Sequence, residues 1–133
     1  MFGPRGNRSS GPLDERHAKL VHAVRLACEA GDARAIGSLL AVTVTAVVDG
    51  GGRVRAPTEP LQGLTAVTRW ILRALAKHPA LALSERSING RAGLVLNKDG
   101  RVVGVAGFDT RAERITRIWI VLNPDKLRRW NLP

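Results

Sequence analysis

The sequence predicts an α+β domain, with helices packed on one face of a curved, mostly antiparallel sheet. Three observations carry that expectation. Between Ala92 and Leu122 the chain reads strand, tight turn, strand, short loop, strand, with Asp99-Gly100 between two alternating apolar runs, the pattern of a two-residue type I′ hairpin. Asn89-Gly90 is a second such signal just upstream. Apolar residues recur at helical spacing in the segments before this region, which makes those helices the available cover for the sheet.

Composition narrows the field. The chain has 133 residues, 44% hydrophobic and 24% charged, the balance of one folded globular domain. No apolar run approaches the roughly 20 residues that span a membrane, and Met1-Phe-Gly-Pro-Arg does not resemble a signal peptide. No membrane association is expected. The net charge of +10 comes from four lysines and seventeen arginines spread from Arg5 to Arg129. No helix-turn-helix, zinc-finger or basic-zipper pattern accompanies it, so direct sequence-specific DNA binding is not expected. The single cysteine, Cys28, excludes an internal disulfide, fits a reducing cytoplasm and falls on the apolar side of a helix, where it packs.

Residues 1–12 are mostly Gly, Pro, Ser and Arg with little to bury, and are expected to form a disordered tail ahead of a domain over 13–133. A first helix starts near Asp14, carries Leu13, Leu20, Val21, Val24, Ala27 and Cys28 at helical spacing, and stops at Gly31. Asp32 caps a short second helix with Ile36, Leu39 and Leu40. Thr43–Val48 is β-branched and reads as a strand; Asp49-Gly50-Gly51-Gly52 turns it, and Arg53-Val54-Arg55 returns as a short second strand. Pro57 and Pro60 mark a loop. The third helix follows Gly63, with Leu64, Val67, Ile71, Ala74 and Leu75 on one side and Arg69, Arg73 and Lys77 on another, and Pro79 ends it. That cationic stripe reads as a solvated face or as an acidic contact. Leu81–Ile88 is a strand leading into the hairpins, and Asn123-Pro124-Asp125 starts a last short helix carrying Leu127 and Trp130.

Alternation through the Asp99-Gly100 turn sets Leu96 opposite Val103 and Leu94 opposite Val105. A four-residue connection over Thr110–Glu113 then sets Ile118 beside Val105 and Ile120 beside Val103. One face would carry Leu94, Leu96, Val103, Val105, Ile118, Ile120 and Leu122. The other would carry Val95, Asn97, Gly104, Ala106, Phe108, Arg117 and Trp119, with Trp119 above Gly104. With Val24 and Ile71 from the helices, Leu94, Val103, Val105, Ile118 and Ile120 would line a pocket for a small apolar ligand. The Arg117/Trp119 face has the composition of a partner surface.

The phrases ACEAGDARAIGSLL, VVDGGGRVRAP, INGRAGLVL, DGRVVGVAGFD, RITRIWIV and LNPDKLRRW, in this order, resemble the SnoaL-like branch of the NTF2-like superfamily. Within it they resemble the C-terminal domain of a class of extracytoplasmic-function (ECF) sigma factors. The resemblance covers about residues 13–130 and implies an NTF2-like, cystatin-like cone with helices on the concave face of its sheet. Asp49-Gly50-Gly51-Gly52 and Asn123-Pro124-Asp125-Lys126-Leu127 match two motifs of that class. By resemblance they are regulatory contacts, made with sigma domains or RNA polymerase in the cytoplasm. The sigma domains are not in this sequence, and both a fragment and a free-standing relative fit it. Related domains also dimerise, so a homodimer is a further partner to consider.

The same superfamily contains ketosteroid isomerases and polyketide cyclases. Isomerisation needs a carboxylate base and an oxyanion donor pair in an apolar site. The resemblance places Asp49 where the base would lie, but the chain contains no tyrosine and the inward hairpin positions are aliphatic. The expectation is therefore a non-catalytic interaction domain with no catalytic residue, no cofactor and no metal. The alternative is a free-standing small-molecule-binding protein or enzyme of the same fold. His17 and His22 lack metal-ligand spacing, and His78 reads as helix-end packing before Pro79.

Overall fold

The computed structural model describes residues 11–132. Its elements run α1 (Pro12–Ala30), α2 (Ala33–Leu39), β1 (Leu40–Asp49), β2 (Leu61–Gln62), α3 (Leu64–Lys77), β3 (Ala82–Ile88), β4 (Arg91–Lys98), β5 (Arg101–Arg111) and β6 (Arg114–Val121), followed by a 3-10 turn at Arg128–Asn131. The strands form one sheet in the order β2-β1-β6-β5-β4-β3, antiparallel except where β1 runs parallel to β6. The three helices cover one face, as the sequence predicts.

Local chemistry explains most boundaries. Gly31 takes a left-handed conformation (φ 63°) and ends α1, with its N–H bonding the Cys28 carbonyl and that of Asp32 bonding the Ala27 carbonyl. The Asp32 carboxylate accepts the Ala35 N–H at 3.1 Å and caps α2. Both expected type I′ turns are present, with positive φ at Asn89-Gly90 and at Asp99-Gly100.

Several expectations are corrected. Residues 1–10 of the expected tail lie outside the described residues, but α1 begins at Pro12, behind a Gly11 N-cap, rather than near Asp14. Leu13 is 77% exposed and is not core. Arg53–Arg55 forms turns and bends rather than a strand; Leu61–Gln62 pairs with β1 instead. The connection between β5 and β6 is a two-residue turn at Ala112-Glu113, both at positive φ, rather than four residues.

The largest correction is one of register. Lys98 faces Arg101 and Asn97 faces Val102, but Leu96 then faces Gly104 and Leu94 faces Ala106. Val103 is the extra residue of a β-bulge, and everything beyond it swaps faces. Val105 therefore points to the outer side, while Ala106 and Phe108 point towards the helices. Across the next turn Ile118 meets Phe108, Ile120 meets Ala106 and Val105 meets Val121. Trp119 lies opposite Gly107 rather than Gly104; a Cβ on Gly107 would overlap the indole, so the glycine is what lets the ring lie flat on the sheet.

Two hydrophobic clusters result. The inner one joins Leu20, Val21 and Val24 of α1, Ile36 of α2 and Val67 of α3 to Val44, Ala46, Leu94, Phe108, Ile115 and Ile118 of the sheet. The smaller outer one packs Leu127 and Trp130 onto Ile88, Val95, Val102, Val105 and Val121. Asn131 locks that cover in place, accepting the Val102 N–H at 2.8 Å and donating to the Val102 carbonyl at 3.0 Å.

Candidate interaction site and cavity

β1 ends at Asp49 and β6 ends at Val121, and parallel pairing sets these two residues side by side. The segments that follow them, Gly50–Gly52 and Asn123–Leu127, therefore leave the sheet at the same corner. The Asp49 carbonyl accepts the Leu122 N–H at 2.7 Å. One oxygen of its carboxylate accepts the Gly51 N–H at 2.9 Å; the other binds the Lys126 ammonium at 2.7 Å, across 77 positions of sequence. The Lys126 hydrogen bond, helped by the Gly51 N–H and the Asn123 side chain, holds the Asp49 carboxyl below the usual carboxylate range.

Each remaining residue of the two motifs has a place in this knot. The Gly50 carbonyl accepts the N–H groups of Arg53 and Val54, both at 3.1 Å, and a Cβ on Gly50 would overlap the Val54 carbonyl. Gly51 has φ 64° and lies against the Asn123 side chain, so a Cβ there would be both strained and obstructed. Gly52 needs only its positive φ of 75°, with open space around it. The Asn123 side-chain oxygen accepts the Asp125 N–H at 3.1 Å, and Pro124 carries the chain on to Asp125. Arg53 and Arg128 both donate to Asp125, at 3.0 and 3.1 Å. Leu127 turns inward and is 3% exposed. The motifs thus form one braced, solvent-facing unit with a hydrophobic anchor.

Val47 pairs with Trp119 two residue pairs before Asp49 pairs with Val121, so the Arg117/Trp119 strip runs into the knot on the outer face. Arg117 is exposed and Trp119 half-buried over Gly107.

On the other face, a cavity of about 800 Å³ lies between α3, α1 and the sheet. Val24, Ile71, Leu94, Val103, Ile118 and Ile120 line it; Val105 does not, because the bulge turns it outward. The same bulge keeps Val103 in the lining and brings in Ala106 and Phe108. Sequence reasoning also missed Trp70 from α3 and four cations: Arg55, Arg73, Lys77 and Lys98. The four-residue spacing of Arg73 and Lys77, close to the apolar side of an amphipathic helix, was the available signal. No carboxylate lines this cavity among the described residues. Asp49 is outside the lining, turned to Lys126. Cys28 contributes to the wall, and burial pushes its thiol up to about 11, which favours the protonated form at neutral pH. A depression of about 380 Å³ beside the end of α1 shares Cys28, Leu75 and His78 with the larger cavity.

His17 is a structural residue with no sequence signal of its own. It is 3% exposed, and its Nε2 donates to the Ala92 carbonyl at 2.9 Å. Its Nδ1 is then the acceptor, with Arg91 and Thr110 each at 3.0 Å. It ties α1 to β4 and β5. His22 bonds Glu85 at the surface. No metal-binding cluster occurs among the described residues, and no described helix is long and apolar enough to cross a membrane.

Comparison with solved structures places this architecture. The extracytoplasmic function sigma factor SigJ of Mycobacterium tuberculosis superposes with a TM-score of 0.70 at 23% identity, over 86% of this chain and 45% of SigJ. A SnoaL-like protein of unknown function from Burkholderia thailandensis gives 0.61 at 18% identity, over 80% of this chain and 92% of that one. The fold is NTF2-like, of the SnoaL-like kind. An NTF-2 like protein of unknown function from Burkholderia xenovorans gives 0.60 at 16% identity, over 92% of this chain and 98% of that one. Other similar structures include one candidate ketosteroid isomerase, from Kribbella flavida, and one candidate polyketide cyclase, from Sinorhizobium meliloti. No family model and no curated protein matches the chain at a significant level. The chain spans about 45% of the length of SigJ, against nearly the whole of the two Burkholderia proteins.

Proposed function

We propose that this chain is a non-catalytic regulatory domain of the ECF sigma-factor type, acting in the cytoplasm by contact with sigma domains or RNA polymerase. The observation that carries this reading is the knot. Two motifs that resemble those of the sigma-factor class meet through the Asp49–Lys126 pair and continue into the Arg117/Trp119 strip. A rigid polar rim beside a half-buried tryptophan suits a protein contact, in which a preorganised surface loses little entropy on docking. The likeness to SigJ supports the same reading. Promoter complexes would form faster or slower according to how this surface engages its neighbour.

The same contacts brace the strand ends, and a charge swap separates bracing from docking. In transcription assays with the cognate sigma domains, Asp49→Lys and Lys126→Asp each shift promoter-complex formation by about threefold, within the range that an exposed ion pair can contribute. The double swap recovers part of the thermal stability, because it re-forms the ion pair but leaves the Gly51 N–H without its acceptor, and does not restore transcription. Recovery of both together would make the pair a brace alone and remove the basis for docking.

The enzyme reading has less to stand on. Acid–base isomerisation would have to proceed in a cavity whose described lining offers no Asp, Glu or Tyr. Purified chain should leave a 3-keto-Δ5 steroid unchanged; turnover abolished by Asp49→Ala would establish the enzyme instead.

A further inference from the structure

We propose that the cavity is a binding site for a free, single-chain amphipathic anion: an aliphatic body held between α3 and the sheet, with a carboxylate or similar head at the cationic rim. The volume, about 800 Å³, falls in the range of sites for small ligands. Its interior is aliphatic and aromatic, with Trp70 and Phe108 among the lining. Its formally charged side chains are all cationic, with the His78 imidazole and the Cys28 thiol the other titratable groups of the lining. Arg55 comes from the loop after the glycine turn, Arg73 and Lys77 from the last turns of α3, and Lys98 from the end of β4. Arg55, Arg73 and Lys77 are exposed and so stand at the opening, while Lys98 is half-buried.

Among the described residues, none of these four cations pairs with a carboxylate; the ion pairs use His22, Arg25, Arg53, Arg91, Lys126 and Arg128. An apolar chamber ringed by unpaired cations repels a cationic ligand, gains little from a neutral one beyond burial, and favours an anion through charge-assisted hydrogen bonds. Repulsion among four like charges is itself relieved by an anionic head.

Occupancy would also reach the knot. The wall segment Val54–Pro57 continues directly from the glycine turn, and the Val54 N–H bonds the Gly50 carbonyl. That consequence rests on the interaction reading; the binding itself does not, and it is measured without any partner.

The test is calorimetric titration of the full chain with dodecanoate, monododecyl phosphate, dodecan-1-ol and dodecylammonium, each ionic probe below its micellar concentration and the alcohol below its solubility limit. The expected result is one-to-one binding of both anions, roughly tenfold tighter than the alcohol, with the ammonium weakest. A dodecanoate advantage not shared by the phosphate would specify a carboxylate; the reverse would specify a phosphate. Arg73→Gln/Lys77→Gln, two exposed positions, should erase most of the anion advantage and leave the alcohol unchanged. Ala74→Trp, which fills the chamber, should weaken all ligands at least tenfold while circular dichroism stays native. Equal affinity for all four probes, no binding of any, or an anion preference untouched by the double variant would overturn the proposal. The same holds if affinity persists in folded Ala74→Trp.

Discussion

The two faces of this sheet bury similar aliphatic side chains and end in opposite conditions, one hollow and one closed. On the helix side, α1 and α3 stand over the strands with small residues beneath them, such as Ala46 and Ala106, and about 800 Å³ stays open. On the outer side the cover is only a 3-10 turn, yet Leu127, Trp130 and the two Asn131 hydrogen bonds seal it against Val95, Val105 and Val121. Helices are stiff and their spacing is set by whichever side chains touch first, so a gap beside the contact persists. A short irregular segment can follow the surface it covers. The cavity and the proposed contact surface therefore sit on opposite faces of one sheet.

The sharpest way to break that comparison is within the inner face itself. Ile115 is completely buried among packed neighbours, whereas Ile71 fronts the cavity and is half-buried. Ile115→Ala should lower the unfolding free energy by about 3–4 kcal/mol, while Ile71→Ala should cost about 1 kcal/mol, because little packing is lost where a void already exists. Urea denaturation of both variants measures the gap. Similar losses would mean that the chamber is closed in solution.

At the knot, Gly51→Ala and Gly52→Ala compare two glycines that share a positive φ but differ in surroundings. Gly51 would lose about 2–3 kcal/mol, from backbone strain and from displacing Asn123; Gly52, with open space around it, about 1 kcal/mol. Thermal melts should rank them in that order. Equal effects would show that Asn123 moves aside freely and that the knot is looser than its hydrogen bonds suggest.

Much of this was legible in the sequence wherever a single residue dictates a local conformation. Asp32 as a cap, Gly31 as a stop, and Asn89-Gly90 and Asp99-Gly100 as turns are chemistry that acts within a few residues. The β5 register was not legible, because VVGVAG is apolar at every position and alternation cannot choose between a paired strand and a bulged one. That ambiguity is what put Val105 in the expected lining and left out Ala106 and Phe108. The Ala112-Glu113 turn was hidden for another reason, since neither residue advertises a left-handed conformation. The two motifs were each visible, but their meeting depends on β1 lying parallel to β6, a pairing no local pattern encodes.

The smallest effect concerns the charge that joins those motifs, and its sign follows from the titration of Asp49. Lys126 lowers the folded carboxyl below its ordinary value, so the ionised form is bound more tightly in the folded chain than in the unfolded one. The stability it contributes is complete above the unfolded value, near 4, and is lost as pH falls through the lower folded value. Asp49→Asn should therefore be less stable than the parent chain at neutral pH, with the difference shrinking towards zero in acid. Because Lys126 is 64% exposed and Asp49 31%, added salt should shrink the difference too. Paired melts across pH 2–7, at low and at 0.5 M salt, follow this directly. A difference that ignored both pH and salt would mean that the side-chain amide fails for reasons of shape, not charge. The knot would then be held by its glycines and Asn123, with the ion pair left free for a partner to take.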